Sequence, residues 1–221
     1  GKWLEINQKI MNKIIKNLLD KKEISLFDSK EKKTIWKKEL NRKILGTYKV
    51  GKYLFIYTYS SWGYSYTSLL NFESGDYFWM DKLLSNASNV LLYKNHIYFI
   101  NKSFEIITLE LESGEEVFKK KFPYKKWYTN IYPKLVIYDE KVITYNKKNA
   151  VKINQSTNDL EDFIFRNHDL KDIDSISDVY NIAVNSYVNH NTGGDAVMYG
   201  AMGAGDAGGG GDGGGGGDGG G

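Results

Sequence analysis

The feature that most constrains this chain is an internal repeat. The run Leu109-Glu110-Leu111-Glu112-Ser113-Gly114-Glu115-Glu116-Val117-Phe118 restates Asn71-Phe72-Glu73-Ser74-Gly75-Asp76-Tyr77-Phe78-Trp79, with Ser113 standing 39 residues after Ser74. Each copy reads as a strand, a Ser-Gly turn and a second strand ending on a large aromatic, which is the outer hairpin of a four-stranded unit. Glycine suits the turn because it accepts a positive φ, and the aromatic suits the strand end because it can wedge between neighbouring sheets. A third copy, Leu26-Phe27-Asp28-Ser29-Lys30 through Ile35-Trp36, starts 45 residues earlier and reads with a turn two residues longer.

Between the hairpins the texture is all-β, with short β-branched and aromatic runs broken by polar turns. Gly51-Lys52-Tyr53-Leu54-Phe55-Ile56 matches Asn95-His96-Ile97-Tyr98-Phe99-Ile100 at an offset of 44, and Tyr93-Lys94-Asn95-His96-Ile97 recurs as Tyr138-Asp139-Glu140-Lys141-Val142 at 45. These offsets predict a partial β-propeller of four-stranded antiparallel meanders: a partial blade at 23–40, then blades at 43–82, 86–122 and 133–165. The three aromatic-closed runs, ending on Trp36, Trp79 and Phe118, resemble the repeats of the quinoprotein-type (PQQ-like) β-propeller family, including the barrel-assembly lipoprotein type of bacterial outer membranes. The resemblance covers roughly residues 23–165. The chain departs from the family pattern in its last repeat, which has Asn154-Gln155-Ser156-Thr157-Asn158 where Ser-Gly is expected, and in its three to four blades against the usual six to eight. An oligomer is an option if the propeller is incomplete.

Four segments are expected: an N-terminal helix at 1–22, the propeller-like repeat domain at 23–166, a C-terminal helical segment at 167–192 and a disordered Gly/Asp tail at 193–221. The first helix rests on Ile10-Met11, Ile14-Ile15 and Leu18-Leu19 spaced four apart with lysines between, although the same residues allow two short strands of an earlier blade. The second rests on Ser175 and Asp178 as a capping box ahead of Ile176, Tyr180, Ala183, Val184 and Tyr187; Val179, Ile182 and Val184 also permit a strand. The tail holds 17 of the 23 glycines and four aspartates with no Lys or Arg, so the net +3 of the chain conceals a basic body and an acidic tail. No apolar run reaches the length of a transmembrane segment, and no segment has the order of a signal peptide, which leaves the compartment undecided for a chain that begins at Gly1.

Catalytic chemistry finds little to work with. Zero cysteines exclude disulfides, thiolate metal sites and Cys nucleophiles, and His96, His168 and His190 accompany no nucleophile signature. In quinoprotein dehydrogenases the cofactor site depends on a complete propeller, calcium ligands and a neighbouring cysteine pair, so the resemblance implies no cofactor here. The expectation is therefore no catalytic residue, no metal and no cofactor.

Surface chemistry is more informative. In a meander blade, the first-to-second and third-to-fourth turns share one rim, and the second-to-third loops share the other with the crossings between blades. On the first rim fall Glu73, Asp76, Glu112, Glu115, Glu116, Asp139, Glu140 and Asp159, diluted by Lys52, Lys94 and Lys141. On the second fall Trp62, Tyr64, Lys102, Tyr124, Lys125, Lys126, Trp127, Lys147 and Lys148. Cations interleaved with aromatics supply attraction and stacking area, although a lysine-rich chain also solvates its loops this way. The expected function is a non-enzymatic scaffold binding a protein partner through the loops of one rim. The alternative is a binding module for an anionic polymer, either acidic glycan or nucleic acid, through the Lys/aromatic rim.

Overall fold

The computed structural model describes residues 12–18, 22–62, 64–126, 128, 131–173 and 180–182. Among these residues the structure is all-β, with antiparallel strands in four sheets. The first sheet is β1 (Lys13–Leu18), β2 (Glu23–Asp28) and β3 (Lys33–Glu39); the second is β4 (Lys43–Val50), β5 (Tyr53–Tyr59), β6 (Ser65–Asn71) and β7 (Tyr77–Lys82). The third runs through β8 (Val90–Tyr93), β9 (His96–Ile100), β10 (Glu105–Glu110) and β11 (Glu116–Lys121), and the fourth through β12 (Lys134–Tyr138), β13 (Lys141–Tyr145), β14 (Ala150–Asn154) and β15 (Asp159–Phe163). A short strand β16 (Asn181–Ile182) returns to pair with β8. Successive meanders stacked face to face make the fold propeller-like.

The expected N-terminal helix is corrected, and so are two residues of the C-terminal one. Lys13–Leu18 is a strand, paired along β2 from Lys13↔Asp28 to Leu18↔Glu23, and the period is two rather than 3.6: Ile15 is buried where Ile14 is exposed. Helical spacing of apolar pairs was a coincidence of neighbouring isoleucines, whose β-branching favours the strand. Residues 1–11 and 19–21 of that expected helix lie outside the described residues. At the other end Asn181 and Ile182 are strand, with the rest of the 175–187 segment and the tail at 193–221 also outside the described residues.

The repeat is more regular than the sequence suggests. Asp28, Asn71, Glu110 and Asn154 occupy equivalent turn positions, and each accepts backbone N–H bonds two or three residues on: from Lys30 and Glu31, from Glu73 and Ser74, from Ser113, and from Ser156 and Thr157. Four residues beyond each stands a positive φ, at Lys32 (52°), Gly75 (74°), Gly114 (67°) and Asn158 (54°). The first turn is therefore the same length as the others, with Lys32 rather than a Ser-Gly pair carrying the left-handed residue.

Four residues further again come Trp36, Trp79, Phe118 and Asp162. Trp36 and Trp79 lock one sheet onto the next. The Trp36 indole N–H donates to the Phe72 carbonyl at 2.9 Å, and that of Trp79 donates to the Leu111 carbonyl at 2.8 Å. A β-carbon on Gly75 would stand 2.7 Å from Cδ2 of Trp36, and one on Gly114 would stand 2.9 Å from Cδ1 of Trp79, so glycine is required twice over, by φ and by the ring beneath it. A register shift accompanies the aromatic in each of the first three sheets, beside Leu26↔Trp36, Leu69↔Trp79 and Thr108↔Phe118. Such a bulge bends the outer strand and aims its side chain at the neighbour. The fourth sheet has neither aromatic nor bulge, and β14 pairs β15 in continuous register. Trp79 and Phe118 are buried and Trp36 is half-buried.

Apolar cores fill each joint: Ile24, Leu26, Leu54 and Leu70 between the first two sheets, Tyr48, Phe55, Leu69 and Ile97 between the second and third, and Leu91, Ile100, Ile106 and Val151 between the third and fourth. The third joint has Phe118 without an indole N–H, and other groups pin it. Asn89 Nδ2 donates to the Leu135 carbonyl at 2.8 Å while Asn89 Oδ1 accepts from the Leu135 N–H at 2.9 Å, and Asn89 also donates to Asn181 Oδ1. The outer face of the fourth sheet is covered by the following segment, whose Phe165, Leu170 and Ile173 pack on Val136, Ile143 and Tyr145.

Candidate functional site

The meanders place the two expected sets of loops at opposite ends of the strands, and the two ends differ in how their charges are used. On the first rim Lys33 pairs with Glu31, Lys52 with Glu112 at 3.2 Å and Lys141 with Asp139 at 2.7 Å, whereas Lys94 lies 5.2 Å from the centre of the Tyr93 ring. Tyr53 donates to Glu112 at 2.7 Å, and this bond, followed by Lys52, holds the Glu112 carboxyl below its ordinary value. Burial, then the same carboxylate, pushes the Tyr53 hydroxyl up to about 12.

On the second rim, among the described residues, Lys102, Lys125, Lys126, Lys147 and Lys148 form no ion pair with a carboxylate. The acids on the same side accept bonds from neutral groups: Asp162 from the Tyr124 hydroxyl, Asp169 from the Lys171 backbone N–H at 3.1 Å, and Glu105 from Asn101 at 3.0 Å.

Three loops converge to build this part of the rim. Lys125, on the crossing after β11, lies 4.4 Å above the Phe104 ring, and Phe104 stacks on Tyr132 at 4.5 Å; the Tyr132 hydroxyl donates to the Lys102 carbonyl at 3.2 Å. The Lys126 ammonium, 5.5 Å from the centre of the Tyr128 ring, is raised above its ordinary value by its hydrogen bond to Tyr128. The β13–β14 loop that carries Lys147 and Lys148 is held by Asn146 Oδ1, which accepts N–H bonds from Lys148 and Asn149.

Trp62 and Tyr64 lie on the same rim in the β5–β6 loop, 86% and 55% exposed, and no hydrogen bond, ion pair or ring contact among the described residues joins them to the lysine loops. Tyr124 is half-buried, its hydroxyl spent on Asp162. Trp127 lies outside the described residues.

The rim also exposes apolar side chains that the sequence reading did not select: Leu83 (50%), Tyr128 (65%), Ile131 (70%) and Ile164 (81%). Ile164 had a readable signal. In Phe163-Ile164-Phe165, three consecutive apolar residues at a strand end cannot all point inward, and the outer two pack together at 5.0 Å between ring centroids. No group of three or more potential metal ligands occurs among the described residues, and no helix among them is long and apolar enough to cross a membrane.

No protein-family model matches the chain and no curated protein is similar to it in sequence. Among solved structures it is similar to BamB from Moraxella catarrhalis, at 12% identity over 67% of this chain and 45% of that one, TM-score 0.40. It is also similar to Hsv2 from Kluyveromyces marxianus, at 10% identity over 72% of this chain and 48% of that one, TM-score 0.44. Sqt1 from Saccharomyces cerevisiae matches at 9% identity over 67% and 43%, TM-score 0.42. The chain thus spans a little under half the length of the structures it matches.

Proposed function

We propose that this protein is a non-enzymatic repeat scaffold, of the quinoprotein-type propeller class, that binds a protein partner through the loops of its second rim. The carrying observation is the make-up of the second rim: among the described residues Lys102, Lys125, Lys126, Lys147 and Lys148 form no ion pair with a carboxylate, and Trp62, Tyr64, Tyr128 and Ile164 are exposed on the same rim. Unpaired cations around large apolar side chains supply both the steering and the buried contact area of a protein interface. Rigid sheets locked by Trp36 and Trp79 hold the loops without an ordering cost at binding.

A photo-crosslinking residue placed at Trp62, Tyr128 or Lys147 is expected to form the same discrete protein adduct in extract of the source organism, and one placed at Glu73 or Asp139 is not. Equal labelling from both rims would refute the assignment. Binding of an anionic polymer is the second reading, favoured by the five lysines of this rim that form no ion pair among the described residues. It requires an adduct sensitive to nuclease or glycosidase and an affinity that falls steeply with salt.

A further inference from the structure

Among the described residues, β1, β4 and β12 each have a strand on one side only, whereas β8 carries β16 on its second edge. β16 adds antiparallel through Asn181↔Leu91 and Ile182↔Val90, and the Leu92 N–H donates to the Tyr180 carbonyl at 2.9 Å. The three residues are also recognised by their side chains. Tyr180, 39% exposed, sets its ring edge-on to Tyr93 with 4.9 Å between centroids. Asn181 is buried: its Oδ1 accepts from Asn89 Nδ2 at 2.8 Å, and its carbonyl accepts from the Tyr48 hydroxyl at 3.4 Å. Ile182 is buried in the apolar cluster that includes Leu84 and Val90. Backbone pairing combined with a place for each side chain is how a sheet edge takes up an extended peptide. The pairing of β8 with β9 does not pass through the added strand, so the edge can be emptied without breaking a meander.

We propose that the inner edge of β8, with Tyr48, Asn89 and Tyr93, is a binding site for an extended peptide carrying an aromatic residue, then Asn, then a branched aliphatic residue. Tyr180-Asn181-Ile182 occupies it in cis, and the same sequence on another protein takes it when that segment is displaced. The middle residue is the most narrowly defined. Asn89 gives Nδ2 to the Leu135 carbonyl as well as to Asn181, and its Oδ1 accepts the Leu135 N–H, so its amide is fixed and offers the peptide a donor. Ala in the middle position leaves that donor short of a partner, and Asp carries a charge out of water. The site uses none of the rim lysines and stands or falls independently of the rim.

The test uses the full chain and a fluorescein-labelled peptide of sequence Val-Tyr-Asn-Ile-Ala, with a counterpart that has Ala in place of Asn. In the double variant Asn181→Asp, Ile182→Asp the cis segment carries two charges and leaves the edge. By fluorescence anisotropy the Asn peptide is expected to bind this variant at least 10-fold more tightly than it binds the unmutated chain, and at least 10-fold more tightly than the Ala peptide does. Equal affinity for variant and unmutated chain, equal affinity for the two peptides, or no binding to a variant that circular dichroism shows folded overturns the site. The unmutated chain supplies a second measurement by hydrogen–deuterium exchange. A tethered segment competes at an effective concentration in the millimolar range, so the unlabelled Asn peptide is added in millimolar excess. It is expected to speed exchange at Tyr180–Ile182 at least 10-fold while Leu92 stays protected, and the Ala peptide is not. Unchanged exchange at Tyr180–Ile182 overturns the site whether or not the variant folds.

Discussion

Gly114→Ala isolates the lock between the second and third sheets. The new methyl group would meet the Trp79 ring at 2.9 Å to Cδ1 and 3.0 Å to Cγ, and would also meet the Lys82 side chain. Lys82 is long and can swing aside. The indole is fixed by its 2.8 Å bond to the Leu111 carbonyl and cannot withdraw without breaking it. Alanine at φ 67° also costs about 1–2 kcal/mol for the left-handed backbone, and overpacking a filled site costs about 1–3 kcal/mol more. Gly51→Ala separates the two terms, because Gly51 has φ 56° and nothing within 4 Å of its would-be β-carbon. Both substitutions gain equally from the stiffer unfolded chain, so the difference between them reports the wedge alone. We expect Gly114→Ala to be less stable than Gly51→Ala by about 2 kcal/mol, or roughly 4–8 °C in Tm for a chain of this size. Urea denaturation followed by Trp fluorescence and thermal melts would measure it. Equal destabilisation by the two variants would refute the idea that Trp79 locks one sheet onto the next.

Asn89→Ala removes the clamp on Leu135 and the bond to Asn181, leaving a backbone N–H and C=O at the third joint without their partner; it should cost about 2 kcal/mol, measured by urea denaturation. Burial pushes the Tyr98 hydroxyl up to about 12 from 10.0. Its folded form holds the proton that the unfolded chain releases, so the associated stability is complete below pH 10 and is lost as pH rises toward 12. Tyr98→Phe should flatten the fall of stability across that window, read by denaturation at successive pH values; an unchanged slope would show that Tyr98 does not contribute.

The sheets were legible because their signals are local. Alternation and turn chemistry at Asn71–Gly75 and Glu110–Gly114 depend on neighbours only, and the sheets at 43–82 and 90–121 follow from them. The first turn was misjudged because Lys32 gives no glycine signal, although Asp28 already carried the Asx side chain that closes the turn. Lys13–Leu18 was misread because apolar pairs four apart satisfy a helical stripe, while only the pairing with β2 reveals the alternation. β16 was not legible at all. Its position depends on Asn89 and on Tyr48, whose hydroxyl reaches the Asn181 carbonyl at 3.4 Å across a separation of 133 residues, and no local pattern encodes such a partner. The lysines of the second rim could be read from topology. That they form no ion pair among the described residues could not, because it depends on which loops meet in space.

The same position therefore does two jobs along the array. Where the repeat must continue, it holds an indole that reaches the next sheet, at Trp36 and Trp79; at the third joint Phe118 keeps the apolar wedge while Asn89 supplies the hydrogen bonds that an indole would have made. At the fourth sheet it holds Asp162, which accepts the Tyr124 hydroxyl. Phe165, Leu170 and Ile173 then cover the face that a wedge would otherwise have bridged. Loss of the aromatic at the end of the repeat and exposure of Ile164 at the rim are linked: a chain leaving β15 without a wedge folds back over the sheet, and Ile164 is left outside as its flanking phenylalanines turn in. An aromatic restored by Asp162→Trp would lack the acceptor and glycine that Leu111 and Gly114 provide for Trp79. It would also free the Tyr124 hydroxyl, which lines the same cavity as Lys147 and Lys148.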